Sequence, residues 1–363
     1  MTRLGWFWTP ACAVLFSGVT VGQEFTARLM YDALESGGDT IGDTARFRRQ
    51  RLMANWREGG VRVRAQAEFA GAARFLELYG QLDELPFGSL RVGHFREPQG
   101  LEANTSSAYL SFLERAAPID AFTPGRNQGV RVSGQRGGWA WGAGVFRAAD
   151  DVDAEHGDGR SFTGRLTRTF GDVEATETLV HAGLSASLLD PGDDPVRLRA
   201  RAGTNLAPRL IDTGDLDVRD RQTLGLEAAW RSGPVSVQAE SLVAWLDLED
   251  EASAQLAGTY AQFTYTLTGE GRRYSRSRAA FLGIEPATST LEGGSGAWEL
   301  AARIARTDLS DGSVRGDRQD DYTLGVNWYW TDRARAMFEW VHVELDEAGE
   351  DEDLFLVRLQ LGI

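Results

Sequence analysis

Alternation is the property that most restricts how this chain can fold. In Val61-Arg62-Val63-Arg64-Ala65-Gln66-Ala67-Glu68-Phe69 the odd positions are apolar and the even ones polar. Successive strand side chains point to opposite faces, so such a segment has one oily face and one wet face. The rhythm returns in 196–202, 300–304 and 322–330. Helical spacing is scarce, with its best instance around 108–117, inside a long connection. Beyond the N-terminal segment no apolar run approaches the ~20 residues that a membrane-spanning helix needs. Mean hydropathy is −0.31, yet glycine supplies 42 of 363 residues and aromatics 10%. A barrel reconciles these values, because only every second strand residue has to face lipid. The expected class is all-β: a transmembrane antiparallel β-barrel.

Sixteen candidate strands fall at 25–34, 44–57, 61–70, 72–79, 89–96, 129–135, 139–147, 161–170, 176–189, 221–231, 234–247, 256–268, 297–308, 320–331, 333–345 and 352–363. Short connections at Gly59-Gly60, Gly137-Gly138, Gly171-Asp172, Ser232-Gly233 and Thr331-Asp332 follow even-numbered strands. Longer acidic ones, at 148–160, 190–220, 309–319 and 346–351, follow odd-numbered strands. Short periplasmic turns and longer outer loops divide in this way when the first strand runs outward. Counting 196–203 as a barrel strand would break that parity, so it is placed within a long outer loop. The stretch 269–296 is too long for a turn and has no role in the scheme. Trp56, Trp139, Trp230, Trp328 and Trp330 lie beside the short turns, as an aromatic girdle at the lipid headgroups would. The last segment alternates Phe355, Val357, Leu359, Leu361 and Ile363 with polar and small residues and some leucine. It has the pattern of a closing barrel strand.

The start of the chain has the form of a cleaved secretory signal peptide over 1–23, leaving a barrel domain over 24–363. Arg3 supplies the positive start, Leu4 to about Val21 is almost uncharged, and small residues gather before Glu24. The single cysteine, Cys12, falls inside this leader. The mature chain then has no disulfide, no thiolate metal site and no cysteine nucleophile.

Net charge is −15 and all 38 basic residues are arginine; losing Arg3 with the leader takes the balance to −16. An acidic total argues against nucleic acid as a partner. The two signs are segregated, however. Arg28, Arg62, Arg64, Arg131, Arg165 and Arg303 sit on the wet side of alternating segments, where they would line the lumen. In lipid each would cost roughly 2–4 kcal/mol near the midplane. Acids crowd the connections instead, as at Asp150, Asp151, Asp153, Glu155 and Asp158, at Asp190, Asp193 and Asp194, and at Glu347, Glu350, Asp351 and Asp353. Solvation of exposed loops explains them most simply; divalent bridging to lipopolysaccharide is the other account.

Several segments carry a family likeness. Gly93-His94-Phe95-Arg96-Glu97-Pro98-Gln99-Gly100-Leu101-Glu102 is followed by Thr105-Ser106-Ser107, Phe112-Leu113-Glu114-Arg115 and Pro124-Gly125-Arg126-Asn127-Gln128-Gly129. These resemble the phosphate-selective porin O and P family, as do 296–303 and 321–328. The resemblance implies a sixteen-stranded outer-membrane barrel of a Gram-negative-type bacterium, a homotrimer, and an anion pore narrowed by infolded loops. It gives 97–128 the part of constriction loop. In the family's phosphate-specific members lysines stand beside an arginine ladder, whereas this chain has no lysine.

The expected function is passive diffusion of small anions, phosphate or polyphosphate among them. Guanidinium is always charged and its fork matches phosphate and carboxylate oxygens. Spaced moderate sites let an ion enter and leave. Arg96, Arg115 and Arg126 are constriction-loop candidates, and Arg197, Arg199 and Arg201 belong to the second long loop. Bracing of the wall through partners such as Glu68 and Glu299 is the rival account of the same arginines. Arg272, Arg273, Arg276 and Arg278 are read as a solvated segment. A general or carboxylate-preferring porin is the alternative among channels, and a structural or adhesive barrel the alternative outside them. Outer-membrane lipid and lipopolysaccharide are the remaining partners. His94, His156, His181 and His342 lack metal-ligand spacing and no serine has a nucleophile-elbow context. No metal, cofactor or catalytic residue is therefore expected, and the chain is not read as an enzyme.

Overall fold

The computed structural model describes residues 22–37, 41–147, 158–173, 177–346 and 351–363. The expected leader lies outside these residues except for Gly22 and Gln23, which open the first strand. Asp150, Asp151, Asp153, Glu155, Glu347 and Glu350 lie outside them too.

Sixteen antiparallel strands close on themselves in chain order. They are β1 (Gly22–Ser36), β2 (Thr44–Glu58), β3 (Val61–Glu68), β4 (Arg74–Leu85), β5 (Gly88–Arg96), β6 (Arg126–Arg136), β7 (Trp139–Arg147) and β8 (Arg160–Gly171). The circuit continues with β9 (Thr178–Asp190), β10 (Val218–Ser232), β11 (Val235–Leu248), β12 (Ala254–Thr266), β13 (Ala297–Asp311), β14 (Val314–Tyr329), β15 (Ala334–Leu345) and β16 (Glu352–Gly362). The seam is β1 on β16, from Arg28↔Gly362 to Ser36↔Leu354. Closure leaves no strand edge to pair with a foreign chain.

Period-two patterning explains the wall. Along β8, Phe162, Leu166 and Phe170 face outward and are about half exposed, while Thr163, Arg165 and Thr167 between them are buried. Outward apolar side chains of this kind form the lipid-facing band. Trp139 and Trp230 face outward beside the short turns, and Trp298, Trp328 and Trp330 form a stacked and edge-on group nearby.

One connection differs from the sequence expectation. The acidic 309–319 is not a long loop, because β13 and β14 continue until Asp311 pairs with Val314. Leu309 and Val314 turn inward onto a buried apolar cluster, and that burial carries the ladder through a polar composition.

Among the described residues three long segments fold into the lumen. Residues 97–125 follow β5 and carry α1 (Leu101–Asn104) and α2 (Ala117–Phe122). Residues 191–217 follow β9 and contain a ribbon in which Arg199–Arg201 pairs with Arg209–Asp212. Residues 267–296 follow β12 from the opposite, short-turn end, and contain the small ribbon Tyr274–Ser275 on Ala280–Phe281. Ile119 and Phe122 of α2 pack with Leu198 and Ile211 of the second segment on the inward faces of β11 and β12, at Leu246 and Leu256. Leu113 and Ala202 pack likewise on Met337, Val341 and Leu356 of β15 and β16. Leu101 meets Tyr274 and Phe281, so the first and third segments touch. Each fully buried side chain of this size contributes about 1.5–3 kcal/mol. Strands that are apolar on both faces, such as 242–246 of β11, are therefore where the insertions dock.

Candidate functional site

With the insertions packed against β9–β16, open space remains along the other side of the lumen. This channel has a volume of about 1220 Å³ and is bordered chiefly by β1–β8, residues 96–126 and the tips of the other two segments. Seventeen arginines and six carboxylates line it. The protein is acidic overall, yet the lining of this space is basic.

The wall arginines come in like pairs. Arg28↔Arg51, Arg57↔Arg62, Arg91↔Arg131 and Arg96↔Arg126 are direct cross-strand partners. Like charges placed so cost roughly 0.2–1 kcal/mol per pair. Some are offset by carboxylates: Arg51 meets Glu68 at 2.6 Å, Arg62 meets Asp83 at 3.0 Å, and Glu77 bridges Arg64 at 2.8 Å and Arg126 at 3.3 Å. Others are not. Among the described residues Arg28, Arg91 and Arg131 have no carboxylate within 4.0 Å; Arg28 donates only to Ser106 Oγ, at 3.4 Å. Arg91 lies 3.9 Å from the Tyr79 ring centroid, and both Arg91 and Arg131 stand over Phe95.

The glycines of the family-like motif make room for that aromatic floor. A Cβ on Gly93 would fall 2.3 Å from the Leu78 carbonyl and 2.9 Å from Tyr79 Cβ. One on Gly129 would fall 2.3 Å from Phe146 Cδ1. Tyr79, Phe95 and Phe146 then meet edge to face beneath the arginines.

The inward position of 97–125 is held by barrel side chains that satisfy its backbone, as a buried loop requires. Glu240 accepts from the Leu101 and Glu102 amides, both at 2.7 Å. Glu102 accepts from Ala116 N at 2.9 Å, at the start of α2. Glu339 accepts from Leu113 N, Asn327 donates to Ser111 O, Arg335 to Leu110 O, and Arg358 to Leu113 O. Glu97 anchors the loop's root, taking hydrogen bonds from Asn127, Ser161 and Thr163. Burial raises the Glu97 and Glu102 carboxyls above their ordinary range, although hydroxyl and amide donors at Glu97 and Arg303 beside Glu102 oppose it. Burial would raise Glu114 as well, but Arg48 at 2.6 Å and Arg358 at 2.8 Å hold it well below that range.

The arginines singled out from sequence divide between channel and scaffold. Arg28, Arg62, Arg64 and Arg131 border the channel. Arg165 borders it too, but its fork is taken by Glu227 at 2.7 and 2.8 Å, and it also donates to Ala279 O of the third segment. Arg303 does not face the channel: it is 3% exposed, lies 4.3 Å from the Phe112 ring centroid and donates to Glu114 O. Residues 97–125 cover it, which strand alternation cannot reveal. Arg96 and Arg126 border the channel from the ends of β5 and β6, at the root of the loop rather than within it. Arg115 borders it while donating to the carbonyls of Glu102, Ala103 and Thr105.

In the second segment only Arg201 of the three candidates lines the channel. A register shift after Ala200 turns it there, and it shares Asp120 of α2 with Arg209, at 3.8 and 3.9 Å. Arg197 instead pairs with Asp212 at 2.7 Å, and Arg199 does not border the space. Of the two expected bracing acids, Glu68 takes Arg51 whereas Glu299 takes Ser111, Asn327 and Tyr329. The run 272–278 is not a solvated stretch throughout: Arg272 is buried against Phe281 and donates to Tyr109 O, while Arg278 borders the channel.

Sequence reasoning missed Arg91, Arg51 and the clamp Arg335. Arg91 carried the same alternating signal as Arg131. Arg51 was masked by the bulge after Met30, which disturbs the rhythm of its partner strand. Among the described residues no group of three or more His, Cys, Asp or Glu is placed to hold a metal ion.

Known proteins place this architecture. Porin O of Pseudomonas aeruginosa is 29% identical over 313 residues, spanning 75% of this chain and 70% of that protein. An uncharacterized protein of Caulobacter vibrioides is 32% identical over 256 residues, or 67% of this chain and 51% of its own length. The anion-selective porin from Comamonas acidovorans superposes with a TM-score of 0.61 at 14% identity, over 95% of this chain and 100% of that one. The trimer form of OmpT from Vibrio cholerae does so at 0.60 and 11%, over 94% and 99%; at these identities the shared property is the fold. The family model for phosphate-selective porin O and P matches residues 30–363, and the chain belongs to that family of outer-membrane β-barrel porins.

Proposed function

We propose that the protein is a passive anion pore that admits phosphate and short polyphosphate down their gradients, acting as a channel rather than an enzyme. The observation that carries this reading is the excess of arginine around the open space, seventeen against six carboxylates. Arg28, Arg91 and Arg131 in particular have no carboxylate within 4.0 Å among the described residues. The Arg91↔Arg131 pair, with no carboxylate within 4.0 Å among the described residues, is a standing cost to the fold, and passing anions would relieve it. An array of separated guanidinium groups favours entry without trapping. Family membership and the Pseudomonas relative support a porin; the assembly as a homotrimer rests on the resemblance, with the trimeric Vibrio neighbour in its favour.

The test is single-channel recording in a planar bilayer across a potassium chloride gradient, followed by addition of phosphate. A reversal potential near the anion limit with chloride current blocked by low phosphate is the expected result. Anion preference without block would move the assignment to organic carboxylates or to broad anion passage. Cation preference would overturn it, and the arginines would then be braces of the wall.

A further inference from the structure

Glu240 is buried on the inward face of β11, and its direct cross-strand partner on β10 is a second carboxylate, Glu227. Two acids so placed repel one another, and the protein resolves the two differently. Glu227 takes the bidentate fork of Arg165. Glu240 has no cation within 4.0 Å among the described residues. Its oxygens are occupied by the amides of Leu101 and Glu102, each at 2.7 Å, and by the Tyr260 hydroxyl at 2.6 Å. A buried carboxylate is tolerated only when its lone pairs are filled, so Glu240 is satisfied only while the constriction loop is in place.

The loop is shaped for this contact. Gly100 has φ +73°, and a Cβ there would sit 2.8 Å from Glu240 Oε2. Immediately beyond the gripped amides come Asn104, Ser106 and Arg115, which border the channel. Glu102, whose own amide is held by Glu240, passes the constraint on by accepting from Ala116 N at the start of α2. Displacing one end of this chain of contacts moves the whole wall of the constriction.

We infer that Glu240 is the positioning residue that sets the width and anion preference of the pore. It touches no permeating ion and acts through the Leu101 and Glu102 amides on the loop. The inference rests on the lumen being the conducting path, and its readout separates from the question of which ion passes. If the parent channel shows no anion preference, the functional reading fails, while unit conductance and flicker still report the position of the loop.

The experiment compares the parent with Glu240→Ala, Glu240→Gln and Gly100→Ala in planar bilayers, with closure of each barrel checked by its heat-dependent gel mobility. One lost hydrogen bond is worth a factor of about two to ten in a local equilibrium. Glu240→Ala should therefore raise the fraction of time in widened, flickering states at least about twofold and lower the anion-over-cation permeability ratio. Glu240→Gln, which keeps an acceptor oxygen, should fall between. Gly100→Ala changes no barrel residue, so it carries the test should Glu240→Ala fail to fold, and it should give the same phenotype. The double variant should be no worse than either single one, because both act on one contact. Unchanged conductance and flicker in folded Glu240→Ala or Gly100→Ala, or fully additive effects in the double variant, would overturn the inference.

Discussion

Arg91 and Arg131 are direct cross-strand partners on the wet face of β5 and β6, and their guanidinium carbons lie 5.2 and 5.5 Å from the centroid of one buried ring, Phe95. Neither has a carboxylate within 4.0 Å among the described residues. The arrangement costs the fold a little and leaves two forks turned to the channel. Arg91→Gln should therefore reduce anion preference and phosphate block, while stability changes by no more than about 1 kcal/mol, because relief of the repulsion offsets loss of the Tyr79 ring contact and of the hydrogen bond to Gln81. Reversal potentials and guanidinium unfolding of the reconstituted barrel measure the two effects. A loss of stability with unaltered selectivity would make the pair structural.

Gly129 has ordinary extended backbone, so its requirement is space alone. A methyl group would meet Phe146 Cδ1 at 2.3 Å and Val145 O at 2.4 Å. Gly129→Ala should cost about 1–3 kcal/mol through overpacking, and the edge-to-face contacts of Tyr79, Phe95 and Phe146 should be disturbed with it. Unfolding of the barrel in lipid vesicles gives the number, and a neutral result would show that the wall yields easily.

Arg303 is a clamp under the loop. Arg303→Met keeps much of its volume but removes the cation 3.7 Å from Glu102 and the donor to Glu114 O. Breaking a buried pair costs about 3–5 kcal/mol. Glu102 already titrates high through burial, and losing Arg303 would raise it further. A carboxyl with a raised native pKa costs stability above that pKa and not below the unfolded value. The deficit of the variant should therefore be larger at pH 8 than at pH 5. A pH-independent deficit would show that Glu102 is not the group left unpaired.

Acid should spare the loop until far below neutrality. Glu114 has a depressed carboxyl, so its stabilisation is complete above the ordinary value near 4.3. It is lost only as pH falls through the low native value that Arg48 and Arg358 impose. Glu97 and Glu102, being raised, are if anything relieved by mild acid. Unit conductance should thus stay level from about pH 7 to pH 5 and become noisy only in stronger acid. Channel noise rising already near pH 6 would contradict this.

How much of this was legible before folding varies with the type of signal. Each expected strand has a counterpart, because a lipid-facing band forces period two and a one-residue slip would turn every side chain over. Parity of turns separated 196–203 from the wall, and the structure places its 199–201 in an inner ribbon. Bulges and polar hairpin ends were harder, as at 309–319, where inward burial overrode composition.

Taken alone, the sequence determined the barrel, its strand number and the basic character of its wet face, because these follow from alternation within single strands. Which arginines border the channel was decided only by tertiary structure. Arg131 and Arg303 look alike in their strands, yet one borders the channel and the other lies beneath Phe112. Their difference comes from three insertions that fold back from distant parts of the chain. Those insertions are held by single contacts such as Glu240 on Leu101, across 139 positions of sequence. Local periodicity records which way a side chain points from its strand, but not what later packs over it.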